Sequence, residues 1–271
     1  MPDLSGKIAL VTGATDGVGR LVAEHLGAAG AKVLVHGRDP GRGAGAVAAI
    51  EAAGGEAEFL AADLASLAAV RGLAEAVRAR TDRLAILVNN AGVGTAPNRR
   101  ETSADGHELR FAVNYLAGFL LTRLLLPLLR AGAPSRIVNV ASAGQQAIDF
   151  DDVMLTQGFS GVRAYCQSKL AQILFTIDLA EELAGSGITV NALHPASYMD
   201  TAMVRRAGVT PMSRVEDGAA AVLRLAAAPE LEAVSGRYFN GQREARAEAQ
   251  AYDAAARARL RALSLALTAP R

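Results

Sequence analysis

The sequence predicts a single-domain α/β fold: a doubly wound, seven-stranded parallel sheet with helices on both faces, spanning residues 1–271. Short β-branched and aliphatic runs alternate with long Ala/Leu-rich segments of helical period from end to end, the pattern of strands joined by crossover helices. Several runs, such as Ile86-Leu87-Val88 and Ile137-Val138-Asn139-Val140, are apolar on mostly consecutive positions, as in strands covered on both faces. No Pro/Ser-rich linker interrupts the series, and a sheet of this kind reaches about 250 residues as one domain.

Along the chain, the first strand is Lys7–Thr12, followed by a glycine-rich turn and a helix from Gly17 that carries Leu21, Val22 and Leu26. The second strand is Lys32–His36, with a helix near Gly41, and the third is Glu56–Ala61. Asp63-Leu64, at the end of that strand, then leads by a short loop into a helix starting near Ser66. Further strands are Leu84–Asn89, Ser135–Val140, Ile188–Leu193 and Arg237–Asn240, with helices beginning near Ser103, Ser160 and Val215. The tail, 244–271, is Ala/Arg-rich and helix-prone, with Leu260, Leu263 and Leu267 available for docking. It reads as a C-terminal packing helix, the alternative being a partner-binding arm.

Composition excludes several classes of function. Hydrophobic residues make up 51% and charged residues 20%, enough apolar material for a large core. A net charge of +1 is too balanced for an electrostatic footprint on nucleic acid or an anionic membrane. One Cys and four scattered His supply neither a disulfide nor a metal cage, which suits a reducing cytosol. The N-terminus lacks the basic and apolar regions of an export signal, so a cytoplasmic location is expected. The apolar run Leu116–Leu129 contains Arg123 and Pro127 and is shorter than the roughly 20 residues of a bilayer span. It is expected as a buried helix, without integral membrane association.

The segment Thr12-Gly13-Ala14-Thr15-Asp16-Gly17-Val18-Gly19 lies between a strand and a helix. Glycine lets backbone approach a pyrophosphate, and the free N–H groups at a helix start favour anionic oxygens. Gly13, Thr15, Asp16, Gly17, Val18 and Gly19 are therefore candidate cofactor contacts; the alternative is a tight turn without a ligand. The second strand ends in Gly37-Arg38-Asp39, where an NAD site carries a carboxylate for the ribose and an NADP site an arginine. Arg38 argues for NADP(H) over NAD(H), unless it is paired with Asp39 at the surface.

Tyr165-Cys166-Gln167-Ser168-Lys169 places a phenol and an ammonium on one helix face. A nearby cation favours the phenolate and brings a tyrosine toward a useful acid/base range. Ser142 ends the fifth strand, at the carboxyl edge where open α/β sheets bind ligands. A rival reading makes Ser142 a hydrolytic nucleophile with His194 as base. Val140-Ala141-Ser142-Ala143-Gly144 lacks the first glycine of a nucleophile elbow, which argues against it.

Taken in order, Thr12-Gly13-x-x-x-Gly17-x-Gly19, Asn89-Asn90-Ala91-Gly92, Asn114, Ser142 and Tyr165-x-x-x-Lys169 resemble the short-chain dehydrogenase/reductase family, of Rossmann fold, over almost the whole chain. Phe111-Ala112-Val113-Asn114-Tyr115-Leu116, Ala164–Ala171 and the 23-residue spacing from Ser142 to Tyr165 resemble its retinol-dehydrogenase-like branch. The resemblance implies that Tyr165 donates a proton to a carbonyl oxygen, that Ser142 hydrogen-bonds that oxygen, and that Lys169 holds the nicotinamide ribose. Asn114 is implied to position a water in a proton relay, the alternative being a helix hydrogen bond only. Asp63 and Leu64 correspond to an adenine-contacting pair, and Asn90, Ala91 and Gly92 to the floor beneath the cofactor. Asn89 and Asn90 also read as sheet stabilisers.

After the sixth strand, His194-Pro195-Ala196-Ser197-Tyr198-Met199-Asp200-Thr201 departs from the family's Pro-Gly and has its threonine displaced by one. Pro195, Tyr198 and Thr201 are retained as candidate cofactor contacts. His194 reads as packing at the strand end.

The expected function is an NADP(H)-dependent oxidoreductase moving a hydride between nicotinamide and a carbonyl or alcohol carbon. Val93–Asn98, Gln145–Val162 and Tyr198–Met212 are candidate substrate walls, contributing Phe150, Met154, Phe159, Tyr198 and Met203, and favour a fairly bulky apolar ketone or aldehyde. Such loops also pack on the body of a protein. Alternatives are epimerisation, elimination or cyclisation by the same residues, or a non-catalytic NADP(H) sensor. Family resemblance further implies a homodimer or homotetramer pairing the helices near Ser103 and Ser160.

Overall fold

In a computed structural model, which describes residues 1–270, eight strands form one sheet in the order β3-β2-β1-β4-β5-β6-β7-β8. The strands are β1 (Ile8–Val11), β2 (Lys32–Gly37), β3 (Glu56–Ala61), β4 (Ile86–Asn89), β5 (Ser135–Val140), β6 (Ile188–His194), β7 (Tyr238–Asn240) and β8 (Arg243–Ala245). The first seven are mutually parallel, and the order reverses between β1 and β4, which pair through Ala9↔Ile86, Leu10↔Leu87 and Val11↔Val88. A crevice opens at such a reversal, outside the carboxyl ends of the strands.

Helices α1 (Gly17–Ala28), α2 (Pro40–Ala52) and α7 (Val215–Ala227) cover one face of the sheet. The other face carries α3 (Leu67–Arg78), α4 (Ala117–Ala131) and α5 (Gly161–Glu182), with α8 (Ala254–Leu267) outside them; α6 (Ala202–Arg206) is a short exposed helix in the loop after β6. Polar side chains start most of the long helices: Asp16, Asp39, Ser66, Ser160 and Asp253 each accept a backbone N–H at the first turn.

Four sequence expectations change. The sheet has an eighth, antiparallel strand, because Gly241-Gln242 turns the chain back on β7, with Gly241 at φ +59°. The tail is accordingly not helical from residue 244; it supplies the end of β8, a tight turn at Ala249–Tyr252, and only then α8. No helix starts at Ser103, which lies in a turn with Gly106 at φ +84°, closed by a bridge between Thr102 and Glu108. Helical structure begins instead with a wide π-type segment, Phe111–Leu116, in which Ala117 N–H reaches back to Ala112 O, and runs into α4.

The fourth change concerns length. Phe111–Ala131 is one 21-residue helix with an 18-residue stretch of mean hydropathy 1.6, long and apolar enough to cross a membrane, so the shortness argued from Leu116–Leu129 does not hold. In the fold, Phe119, Leu121, Leu125 and Leu129 lie in the core beside α3 and α5. On the far side of α5, α8 is tied down by Arg257 to Glu181 (2.7 Å), Arg261 to Asp178 (3.4 Å) and a buried Tyr115–Ser264 hydroxyl pair (2.7 Å).

Candidate active site

The glycine loop leaves β1 at Val11 and is tied to the neighbouring strand by Thr12. Its N–H and hydroxyl donate to Val88 O, and its Oγ1 accepts Asn90 N–H (2.9 Å) and Ala91 N–H (3.1 Å). Asn90 Nδ2 donates back to Thr12 O and Gly13 O, so the loop and the segment Asn90–Gly92 form one unit. Gly13 and Gly17 hold positive φ (+64° and +52°), which glycine tolerates best. A Cβ at Gly13 would fall 2.9 Å from Ala91 Cα. Thr15 and Val18 are buried, and Asp16 is exposed, accepting Gly17 N–H (2.8 Å).

Beneath the loop lies a residue that the sequence reading passed over. His36 Nδ1 accepts Gly13 N–H (3.3 Å) and its Nε2 bonds Ala62 O (3.1 Å), which fixes the neutral tautomer with its proton on Nε2. Burial pushes the imidazole down to about 4. Arg38, at the end of β2, is exposed and lies 4.0 Å from Asp63. Asp39 does not hold it: that carboxylate accepts Arg42 N–H (3.0 Å) and pairs with the Arg42 guanidinium. Leu64 is buried beside Asp63, which accepts Ala65 N–H.

Ser142, Tyr165 and Lys169 converge at the carboxyl end of β5. The Ser142 hydroxyl faces the Tyr165 phenol and accepts Gly144 N–H (3.0 Å). Lys169 Nζ is 5.7 Å from the Tyr165 ring centroid and donates to Val140 O (2.8 Å) and Gln172 Oε1 (2.9 Å). Burial raises the phenol above its ordinary value, opposed by the Ser142 hydroxyl, and brings the Lys169 ammonium down to about 7. The expected lowering of Tyr165 is therefore not present: desolvation outweighs the hydroxyl here.

Asn114 sits in the π-type segment with its side chain fully engaged. Its Oδ1 accepts Val93 N–H (2.7 Å), and its Nδ2 donates to Val93 O (3.1 Å) and Ser168 Oγ (2.9 Å). Ser168 in turn donates to Tyr165 O. The side chain thus braces the Gly92–Val93 backbone against α5. Asn89 belongs to a buried network with Thr122, Asn139 and Thr176, and it borders a small cavity also lined by Thr12, Asn114 and Gln172.

Around the crevice, Pro195 is buried, Tyr198 is exposed at φ +45°, and Thr201 lies against Gly17, 3.3 Å from where a Cβ there would stand. The Thr201 hydroxyl caps α6 through Val204 N–H. His194 bonds Ser197 Oγ (3.1 Å), and burial and the Lys169 charge hold it below its ordinary value. The structure does not pair it with Ser142.

Three expected wall residues are drawn into the body. Phe159 lies under the Arg110 guanidinium and Phe150 under Arg259, while Met154 packs on the core beside Glu108. Arg110, fully buried, gathers the loop after Gly92 through Gly94 O, Thr95 O and Pro97 O and pairs with buried Glu108. Met203 remains in the crevice, against Gly94.

The C-terminal segment closes the site from behind. Gln250 exchanges two hydrogen bonds with the Ile148 backbone (2.6 and 3.1 Å). Gln145 bonds both Glu248 N–H and Ser142 O, and Tyr238 also donates to Ser142 O (3.1 Å). Neither Gln145, beside Gln146, nor Gln250 belongs to a sequence pattern from which to read this.

The sequence profile described as short chain dehydrogenase matches residues 7–210. The chain belongs to the short-chain dehydrogenase family. It is similar to mouse polyprenol dehydrogenase, 42% identical over 99% of this chain and 85% of that protein. Human retinol dehydrogenase 13 is 40% identical over 89% of this chain and 78% of its own length. Among solved structures, the Pseudomonas aeruginosa RhlG/NADP active-site complex matches with a TM-score of 0.71 and 32% identity, covering 89% of this chain and 97% of that one. As a short-chain dehydrogenase of the retinol-dehydrogenase-like branch, the chain is an oxidoreductase of alcohol and carbonyl groups that uses a nicotinamide cofactor. The loop Gly13–Gly19, the amides at the start of α1 and the exposed Arg38 and Asp63 beside it fit a dinucleotide, and Gly92 passes within reach of Lys169 without a side chain between them.

Proposed function

We propose that the chain is an NADP(H)-dependent reductase of fairly bulky, apolar ketones or aldehydes. The observation that carries the reading is the convergence of the Ser142 hydroxyl, the Tyr165 phenol and the Lys169 ammonium at the carboxyl end of β5, set beside the glycine loop.

When bound, a nicotinamide cofactor would supply the hydride. Gly13–Gly19 and the N-terminus of α1 would hold its pyrophosphate, Asp63 and Leu64 its adenine, and Asn90–Gly92, Pro195, Tyr198 and Thr201 would be its further contacts. Ser142 and Tyr165 present two hydroxyls to the carbonyl oxygen, stabilising developing negative charge, and Tyr165 delivers its proton there. Lys169 then faces the phenolate that remains. A phenol held above its ordinary value gives up its proton only as charge develops on the substrate oxygen, which suits an acid in the reducing direction.

The NADP(H) preference rests on Arg38, exposed and unclaimed by Asp39. It also rests on Gly37, where a side chain, such as the carboxylate of an NAD site, would start 2.5 Å from Thr15 Cγ2. The RhlG complex, which contains NADP, supports the same choice. An apolar substrate is supported by Met203 and Tyr198 at the mouth and by the names of the polyprenol and retinol relatives.

The test is titration of the purified protein with NADPH and NADH, followed by absorbance decay on adding bulky ketones and aldehydes. Tighter NADPH binding with decay is expected. Product formation without NADPH consumption would replace reduction by acid/base chemistry, and failure to bind either nucleotide would overturn the reading.

A further inference from the structure

We infer that Gln172 is a positioning residue of the reaction, its side-chain oxygen holding the Lys169 ammonium in place and in its charged form. This rests on the Tyr165/Lys169 chemistry proposed above.

An ammonium carries three N–H donors and no acceptor. Two donors of Lys169 are committed, one to Val140 O on β5 and one to Gln172 Oε1. That leaves one for the side of the pocket where Gly92 passes, a Cβ there lying 3.6 Å from Nζ. Only one of the two anchors, Gln172, is a side chain. It stands one turn beyond Lys169 on α5, the spacing that brings side chains together on a helix. Each residue is 4% exposed, so bulk water does not substitute for the contact. Thr176 fixes the same turn by donating to Gln172 O (2.7 Å).

Besides these two oxygens, the Tyr165 ring, 5.7 Å from Nζ, is what supports the charge among the described residues. Among the described residues no carboxylate pairs with Lys169. The titratable groups facing it are the Tyr165 phenol on its own helix and His194 at the end of β6, itself held neutral in part by the Lys169 charge. Burial works against the ammonium. The two neutral oxygens supply its hydrogen bonds against desolvation, and hydrogen bonds to the charged form favour it. Removing Gln172 Oε1 lowers the proton affinity of Lys169; a carboxylate in its place raises it.

The chain has three lysines, Lys7, Lys32 and Lys169, so its lysine 13Cε NMR spectrum has three side-chain signals. The Lys169 signal is assigned by its loss in Lys169→Met. The titration is followed in the protein without nucleotide, for wild type, Gln172→Leu and Gln172→Glu. The expected result is a Lys169 midpoint lower by about one pH unit, a tenfold loss of proton affinity, in Gln172→Leu, and higher than wild type in Gln172→Glu. The basic limb of kcat/KM for NADPH-driven carbonyl reduction moves in the same two directions, which a merely structural side chain would not produce. Gln172→Glu keeps an oxygen at the position and carries the test if the leucine variant loses its fold. Unmoved midpoints in a protein that does reduce carbonyls would overturn the inference alone. Shifted midpoints in a wild type that reduces nothing would overturn the proposed function and, with it, the part of Gln172 in the reaction.

Discussion

The side-chain amide of Asn90 and the backbone of Gly19 are in direct contact: a Cβ at Gly19 would stand 2.3 Å from Asn90 Nδ2 and 2.4 Å from Gly13 O. The glycine loop closes on the strand opposite because nothing projects from position 19. Gly19→Ala therefore displaces backbone, costing about 1–3 kcal/mol of stability, as overpacking does. Thermal unfolding and NADPH titration are both expected to register the change, with weaker nucleotide binding.

Tyr165→Phe removes the proton donor and keeps the ring. Turnover is expected to fall by about 10²–10⁴-fold, the range of general acid catalysis, with the nucleotide dissociation constant little changed. Steady-state kinetics with a fluorescence titration of NADPH separates the two effects.

Arg38→Asp places a carboxylate where the structure has an exposed guanidinium. Loss of a charge-assisted contact of about 1.5–3 kcal/mol weakens NADPH by roughly ten- to a hundredfold. NADH binding is expected to hold or improve. An unchanged NADPH/NADH ratio would remove the case for NADP(H).

His36 links Gly13 to Ala62 as a neutral ring. Its folded value, about 4, lies below the ordinary 6.5, so the unfolded chain takes up the proton first as pH falls. Stability from this group is complete above pH 6.5 and is lost progressively toward pH 4, by about 3 kcal/mol in all. Urea unfolding at pH 7 and pH 4.5 is expected to show a smaller difference in His36→Gln than in wild type.

Arg110→Met leaves Glu108 buried without its cation, and the carbonyls of Gly94, Thr95 and Pro97 without donors. Breaking a buried pair in this way costs about 3–5 kcal/mol. A lower denaturation midpoint is expected, together with faster proteolysis in the loop after Gly92.

The sheet was legible in the sequence because each strand is an apolar run and each crossover a helix-length segment, and the reacting residues because their spacings are local. Tyr165 and Lys169 share one helix face, and Gly13 to Gly19 form one turn. What escaped was set by contacts distant in the chain. β8 is three residues long and exists because β7 offers it an edge, although Gly241 was a readable turn signal. The start of the helix before α4 moved from Ser103 because the chain there folds back through the Thr102–Glu108 bridge. His36, Gln172 and Arg110 stand in no motif, and Ser168, though inside the Tyr165–Lys169 segment, carried no role there; what each does depends on what the fold brings opposite it. Phe150, Met154 and Phe159 read as pocket walls by composition, yet cation and core contacts draw them inward.

The bonds between Gln250 and Ile148, and between Gln145 and Glu248, join the segment just after Ser142 to one more than a hundred residues later. The loop after Ser142 is therefore fastened from behind by residues translated late: a segment made early in synthesis acquires these bonds only when one made more than a hundred residues afterwards reaches it.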